Sequence, residues 1–144
     1  MSDVEALRTT LAGEHAAVYV YGVLGGQVSR SASPGLADAI AAAYRVHRGR
    51  RDRLVASLRD AGVEPTPPAV AYALPGRVDS PRRITVTART VEERCAAAYA
   101  DQVARTTDAE RAWAVRALKD AAIRRLRFQG SPETFPGAGD LADR

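Results

Sequence analysis

Apolar side chains recur at intervals of three and four residues along much of the chain, the spacing of one face of an α-helix. The first such face consists of Leu7, Leu11, Glu14, Val18, Tyr21, Leu24 and Val28. It predicts a helix that ends near Ser29. The second face consists of Leu36, Ile40, Ala43, His47, Leu54 and Leu58. It predicts a helix that begins at Pro34, a favoured first residue, and stops at Gly62.

Proline interrupts this periodicity after the second helix. Residues 62–80 are rich in proline, which lacks the backbone N–H that a helix interior needs. We therefore predict a long crossover there, which runs from one end of the protein to the other and packs its own apolar side chains on the way.

Two more helices are predicted between the crossover and Gly130, because Thr107 and Glu110 form a capping box that divides this proline-free stretch. The start of the third helix is ambiguous. Residues 84–87 alternate in the manner of a strand, and a start as late as Thr90 is also open. Since no second strand is predicted to pair with this run, a helix directly after the crossover is favoured.

Four helices with a short first turn and a long central crossover predict an all-α, antiparallel four-helix bundle. We expect the bundle to occupy residues 1–130. Residues 131–144 are expected to form a C-terminal tail, in which Phe135 docks on the bundle and the end is loose.

Composition limits the classes of function. The net charge of +4 comes almost wholly from arginine, with Lys119 as the only lysine, and no aromatic residues are interleaved for base stacking. A nucleic-acid partner is therefore not expected. Cys95 is the only cysteine, which excludes an internal disulfide. With no signal peptide and no apolar run of about 18 residues, we expect a cytoplasmic protein without a membrane span.

The polar residue in the first apolar face defines the candidate chemistry. Burial of the Glu14 carboxylate costs several kcal/mol unless a cation, proton or metal pairs with it. The helix periodicity places three further polar residues near mid-helix, namely His47, Glu93 and Asp120, and Arg51 lies one turn after His47.

One hypothesis is an internal charge network without a metal. In it, Arg51 forms a bidentate pair with Glu14, beside His47 and Asp120. The hydroxyls of Tyr21, Tyr44 and Tyr99 then donate to the same network, in which Glu93 also takes part. The alternative is that only some of these side chains face inward and each is satisfied locally.

Several segments together resemble the small actinobacterial ferritin-like family described only as a domain of unknown function. They are residues 14–22, 43–52, 71–75, the Glu92-Glu93 pair, residues 120–122 and residues 135–137. The resemblance covers nearly the whole chain and implies a ferritin-like bundle that often self-associates. It does not imply an activity. Residues 84–87 depart from the alanine- and leucine-rich segment expected there.

The sequence argues against the di-metal site of ferritin-like bundles, which needs a Glu-x-x-His pair on each of two helices. His15 and His47 are the only histidines, and Ala12 and Tyr44 stand three residues before them. Ile123 stands three residues after Asp120, where a second ligand histidine would be needed. We therefore expect no cofactor and no metal.

The resulting prediction is a non-catalytic structural or interaction module that forms a homo-oligomer, with a dimer favoured. Tyr19 is the proposed dimer contact, His15 is placed at the rim, and Cys95 is expected to be buried and inert. The alternative is an iron or manganese oxidase or storage protein that uses Glu14, His47, Glu93 and Asp120 as ligands. A small-ligand pocket in the former metal cavity also stays open.

Overall fold

The computed structural model describes residues 2–130, 132 and 135–138, and within them the chain forms four α-helices and no β-strand. The helices are α1 (Ser2–Gln27), α2 (Pro34–Asp60), α3 (Pro81–Arg105) and α4 (Asp108–Arg127). The prediction of an all-α four-helix bundle with a long connection between the second and third helices is confirmed. In the described residues, no helix is both long enough and apolar enough to pass through a membrane.

The start of α3 resolves the ambiguity of residues 84–87. The Ser80 hydroxyl accepts a hydrogen bond from the Arg83 amide at 3.2 Å, which caps the helix before Pro81. Ile84 and Ala88 then fall on one buried face. The strand and the late start are therefore wrong, because helical burial of Ile84 outweighs its preference for a strand.

The four helices pack unequally. Helix α1 packs against both α2 and α3, and α3 packs closely along α4. Helices α2 and α4 make little backbone contact and are bridged by long side chains instead. Arg53 reaches across to Glu110 at 2.6 and 3.1 Å, and its guanidinium lies 4.6 Å from the centre of the Trp113 ring. The α2–α4 edge is thus the most loosely closed side of the bundle.

The apolar core is divided along the bundle axis. A small cluster of leucines lies towards the start of α1, and it consists of Leu7, Leu11, Leu54 and Leu58. A larger cluster fills the other end and extends from Ala17 to Phe128. Glu14 and His47 occupy the levels between these clusters. The apolar core is therefore interrupted where α1 and α2 each place a polar residue on their buried face.

A buried polar contact joins α1 to α3 near the leucine cluster. The Thr10 hydroxyl donates to the Gln102 side-chain oxygen at 2.6 Å, and both residues are buried. Thr10→Val keeps the shape but leaves the Gln102 oxygen without its donor, so we expect a loss of about 1–2 kcal/mol in the free energy of unfolding. Urea denaturation measures it. Thr9→Val is the matched control, because Thr9 is exposed and its hydroxyl donates to the Glu5 carbonyl of its own helix; an equal loss there would contradict the assignment.

The crossover covers the outer face of α1. The His15 ring nitrogen Nε2 bonds the backbone carbonyl of Thr66 at 2.9 Å, and the rings of Tyr19 and Tyr72 pack with their centres 5.7 Å apart. His15 is buried and not a rim residue, and Tyr19 faces the crossover, which overturns its role as the dimer contact. Val70 of the crossover is fully exposed, although the apolar side chains of this segment were expected to pack.

Most of the predicted tail lies outside the described residues, including residues 131, 133–134 and 139–144. Where the tail is described, Phe135 is 75% exposed, so the expected docking of its ring is not observed. The contact is made by Gly137, whose φ of +78° favours glycine. A Cβ at this position would collide with the Ala96 carbonyl oxygen of α3. The backbone of the tail thus rests directly on the helix.

Candidate functional site

His47 lies between two carboxylates at the centre of the bundle. Its Nδ1 is 2.6 Å from Glu14 Oε2 of α1, and its Nε2 is 3.0 Å from Glu92 Oε1 of α3. All three side chains are fully buried. Because carboxylates accept hydrogen bonds at both ring nitrogens, both nitrogens must carry protons, and the imidazole is a cation. The site is a buried carboxylate–imidazolium–carboxylate triad drawn from three helices.

Two tyrosines supply the remaining donors to these carboxylates. The Tyr21 hydroxyl donates to Glu92 Oε1 at 2.6 Å, and its ring stacks on His47 with 5.2 Å between centres and 17° between planes. The Tyr99 hydroxyl donates to Glu14 Oε1. Burial raises the pKa of both hydroxyls well above the ordinary value, and the neighbouring acidic groups add to this effect. The tyrosines are therefore neutral donors that satisfy the carboxylates.

A second layer of charge closes the triad at the α2–α4 edge. Arg50 donates to the Tyr99 hydroxyl at 3.0 Å and pairs with Asp120 of α4. Arg124 donates to Asp120 at 2.7 Å. Both arginines are largely buried, whereas the side chain of Asp120 is 43% exposed. Asp120 is therefore the point at which the network meets solvent.

One acceptor in the centre lacks a close donor. Among the described residues, Glu92 Oε2 is buried without a hydrogen bond, and its nearest cation is the Arg124 guanidinium at 3.8 Å. That distance gives an ionic contact and not a hydrogen bond. Arg124 thus lies between two carboxylates. It hydrogen-bonds the partly exposed Asp120 and makes only an ionic contact with the buried Glu92.

The electrostatics favour the charged triad. Burial alone would lower the pKa of His47, but the charges and hydrogen bonds of Glu14 and Glu92 outweigh it and raise that pKa to about 9. Burial likewise opposes ionisation of Glu92, yet the hydrogen bond and charge of His47 lower the pKa of this carboxyl below its ordinary value. At neutral pH the imidazolium and the Glu92 carboxylate are both ionised.

Cys95 adds a sulfur to the same centre. One donor atom each from Glu14, His47 and Cys95 lie within 4.8 Å of one another, and all three residues are buried. Burial, together with the two carboxylates, raises the pKa of the Cys95 thiol well above its ordinary value. The expected burial of Cys95 is confirmed, and the structure places it beside the triad.

The structure places the predicted site residues in two groups. Glu14, His47 and Tyr21 meet in the core, and Asp120 joins them at the edge through Arg50 and Arg124. Arg51 does not pair with Glu14; it points to the surface and bonds Asp52 at 2.7 and 2.9 Å. Residue 51 is turned about 100° from Arg50 around the helix, which puts Arg50 and not Arg51 on the side facing the network.

Glu93 and Tyr44 also lie outside the triad. Glu93 bonds Arg125 of α4 at 2.9 Å on the half-exposed side of α3, because the adjacent Glu92 takes the inward position. Tyr44 lies in a surface groove between α1 and α2, with the Arg48 guanidinium 5.6 Å from its ring centre. The predicted contribution of these two side chains to the central network is therefore not observed.

That groove has a volume of about 350 Å³ and is separated from the triad by Tyr21. It is lined by Tyr21, Gly22, Gly25, Val28, Arg30, Ala37, Ile40, Ala41 and Tyr44. At mid-bundle, where the sequence leaves a small-ligand pocket open, the three side chains of the triad are fully buried.

Comparison with known proteins gives a family and a structural relative. The model of a domain of unknown function, DUF4439, matches residues 6–140. No curated protein matches the chain. Among solved structures, the crystal structure of a conserved hypothetical protein, Rv2844, from Mycobacterium tuberculosis is similar with a TM-score of 0.81. The two chains are 32% identical, and the match covers 89% of this chain and 88% of that one.

Proposed function

This chain belongs to the DUF4439 family of domains of unknown function, and from its core we propose that it is a ferritin-like bundle that acts as a non-catalytic structural or interaction module. In this proposal the internal charge network takes the place that two metal ions fill in metal-containing bundles of the ferritin-like kind. The imidazolium of His47 is the central cation.

The observation that carries the proposal is the position of His47 between Glu14 and Glu92. A histidine that binds a metal must offer a ring nitrogen without a proton. Here both ring nitrogens face carboxylates at 2.6 and 3.0 Å, so both are protonated. The carboxylates that a metal would draw together are already neutralised by this imidazolium.

The ligand set of the alternative function is not assembled. Glu93 bonds Arg125, and Asp120 is engaged by Arg50 and Arg124. In the described residues, neither carboxylate contacts Glu14 or His47 directly. An iron or manganese oxidase that depends on these four side chains would therefore need a rearrangement of both α3 and α4.

Sealing of the centre supports a non-catalytic role. The triad has no exposed atom through which a substrate could reach it, and its tyrosines are held as neutral donors. The role of this arrangement is structural: its charged hydrogen bonds hold α1, α2 and α3 in a fixed register.

We also propose self-association of the module as a dimer. Three large apolar side chains remain exposed on α3 and α4, namely Val86 on α3 and Ile123 and Leu126 on α4. Such residues are suited to burial against a second copy. Light scattering coupled to gel filtration measures the mass. Ile123→Glu combined with Leu126→Glu is expected to give a monomer, and a wild-type monomer at all concentrations would overturn this part of the proposal.

The test of the central proposal is elemental analysis after incubation with ferrous iron and with manganese, followed by desalting. We expect far less than one equivalent of either metal and no change in the thermal unfolding midpoint. Iron or manganese near stoichiometry, lost in Glu14→Ala, would overturn the proposal and indicate redox chemistry. Circular dichroism of that variant establishes that it is folded before the comparison is made.

A further inference from the structure

We propose that the centre also binds one zinc-class divalent cation, through Glu14, His47 Nδ1 and Cys95, in exchange for two protons. This inference rests on the proposed function for the resting state of the centre, in which His47 is the cation. It deepens that function by naming a ligand for the same site: a soft divalent ion held by oxygen, nitrogen and sulfur.

The donor atoms are close enough together to be drawn to one zinc ion. Zinc binds carboxylate oxygen and imidazole nitrogen at about 2.0–2.2 Å and thiolate sulfur at about 2.3 Å, so neighbouring ligands of a tetrahedral ion lie roughly 3.3–3.7 Å apart. The three donors of the centre already lie within 4.8 Å of one another. Binding of one ion therefore requires His47 Nδ1 and Glu14 Oε2, now 2.6 Å apart, to separate by roughly 0.7 Å while Cys95 Sγ stays within reach.

The three donors come from three different helices. Glu14 is on α1, His47 on α2 and Cys95 on α3, and each is buried in the packed core. Their positions are therefore fixed by the fold and not by a mobile loop. The Tyr99 hydroxyl, which contacts Glu14 Oε1, is an oxygen available for a fourth position.

Glu92 supplies a feature typical of zinc-binding histidines. Such a histidine usually donates its other ring N–H to a carboxylate, which fixes the orientation of the ring and strengthens the ligand nitrogen. Glu92 Oε1 already lies 3.0 Å from His47 Nε2, on the side of the ring away from Glu14. The ring is thus oriented with Nδ1 towards Glu14, as a metal at this position needs.

The exchange preserves the charge of the network. In the metal-free state its three carboxylates, Glu14, Glu92 and Asp120, balance three cations, His47, Arg50 and Arg124. The divalent ion binds as the Nδ1 proton of His47 and the thiol proton of Cys95 leave to solvent, with no oxidation or reduction. Two positive charges enter and two leave, so no uncompensated charge is buried.

The choice of metal follows from the donors. Thiolate and imidazole select zinc, whereas carboxylates and water suit manganese and magnesium. The hydroxyls of Tyr21 and Tyr99 are already engaged by the carboxylates of the centre. A zinc-class ion therefore fits where the iron and manganese of the ferritin-like template do not.

Cobalt(II) is the probe, because a cobalt–thiolate bond gives a charge-transfer absorption in the near ultraviolet that cobalt bound by oxygen and nitrogen lacks. We expect this band to saturate at one equivalent with the wild-type protein and to disappear on addition of zinc. Cys95→Ser should abolish the band and weaken zinc binding by isothermal calorimetry.

Two further variants separate a positioning effect from a general loss of structure. Glu92→Gln is expected to keep the band while weakening binding about 10- to 100-fold, because Glu92 orients His47 without touching the ion. Glu93→Gln alters the neighbouring carboxylate on the half-exposed side of α3 and should leave binding unchanged. Far-UV circular dichroism of each variant is recorded first, and Cys95→Ala replaces Cys95→Ser if the latter is unfolded.

Absence of the band in the wild-type protein would overturn the inference. Zinc binding that Cys95→Ser leaves unchanged would also overturn it, because the zinc would then be an adventitious ion only. These outcomes differ from failure of the proposed function. That failure consists of stoichiometric iron or manganese, which does not depend on Cys95.

Discussion

His47→Leu is expected to lower the free energy of unfolding by about 3–5 kcal/mol, the loss typical of a buried ion pair that is deprived of one partner. The substitution removes the only cation in contact with Glu14 Oε2 and Glu92 Oε1 in the described residues. Two fully buried carboxylates are then left to face each other across an apolar side chain. Urea denaturation followed by circular dichroism measures the loss.

Arg51→Leu is the matched control on the same helix. Arg51 is the cation that the sequence favours as partner of Glu14, but it bonds Asp52 at the surface. A partly exposed pair of this kind contributes little, so the change should be within about 0.5 kcal/mol. If Arg51→Leu proved the costlier substitution, the assignment of His47 as the central cation would be wrong.

The stability of the metal-free protein is expected to fall as pH rises through about 9. The pKa of His47 is about 9 in the folded protein against about 6.5 unfolded, so folding is favoured by protonation of this ring. The contribution is complete below pH 6.5 and is lost as pH rises through 9. A difference of this size corresponds to about 3 kcal/mol.

Several groups facing His47 shape this dependence. Glu14 from α1 and Glu92 from α3 raise its pKa, and Arg124 from α4 lies 3.8 Å from the second of them. Tyr21 and Cys95, whose pKa values are themselves raised, stay protonated over the range. The prediction is tested by measuring the urea midpoint of unfolding between pH 6 and 9.5, with a chelator present, for the wild-type protein and for His47→Gln. Parallel curves for the two proteins would show that His47 does not titrate in this way.

The sequence predicts the path of the helices because apolar periodicity decides which face is buried. It also identifies Glu14 and His47, since each interrupts an apolar face at mid-helix. For the second carboxylate of the triad, the sequence-based prediction of Glu93 is wrong by one residue. Glu92, not Glu93, lies three residues before Cys95 and seven before Tyr99, the face that is buried. Following the buried face along α3 identifies Glu92, whereas the midpoint of the helix points to Glu93.

Arg50 could have been found in the same way. It follows His47 by three residues and precedes Leu54 by four, which continues the buried face of α2. The contact of His15 with Thr66 could not have been predicted, because the path of a proline-rich crossover is set by what it packs against and not by its own periodicity. Local pattern fixes faces, whereas pairing across the bundle needs the three-dimensional arrangement.

The weak contact between α2 and α4 makes the protein a pair of helical hairpins, α1–α2 and α3–α4, joined by the crossover and meeting along α1 and α3. The network is shared unequally between them. Glu14, His47 and Arg50 leave the first hairpin with one excess positive charge, and Glu92, Asp120 and Arg124 leave the second with one excess negative charge. A chain cut in the exposed part of the crossover should therefore yield two fragments that attract and complement each other, since each half carries the counter-charge that the other lacks.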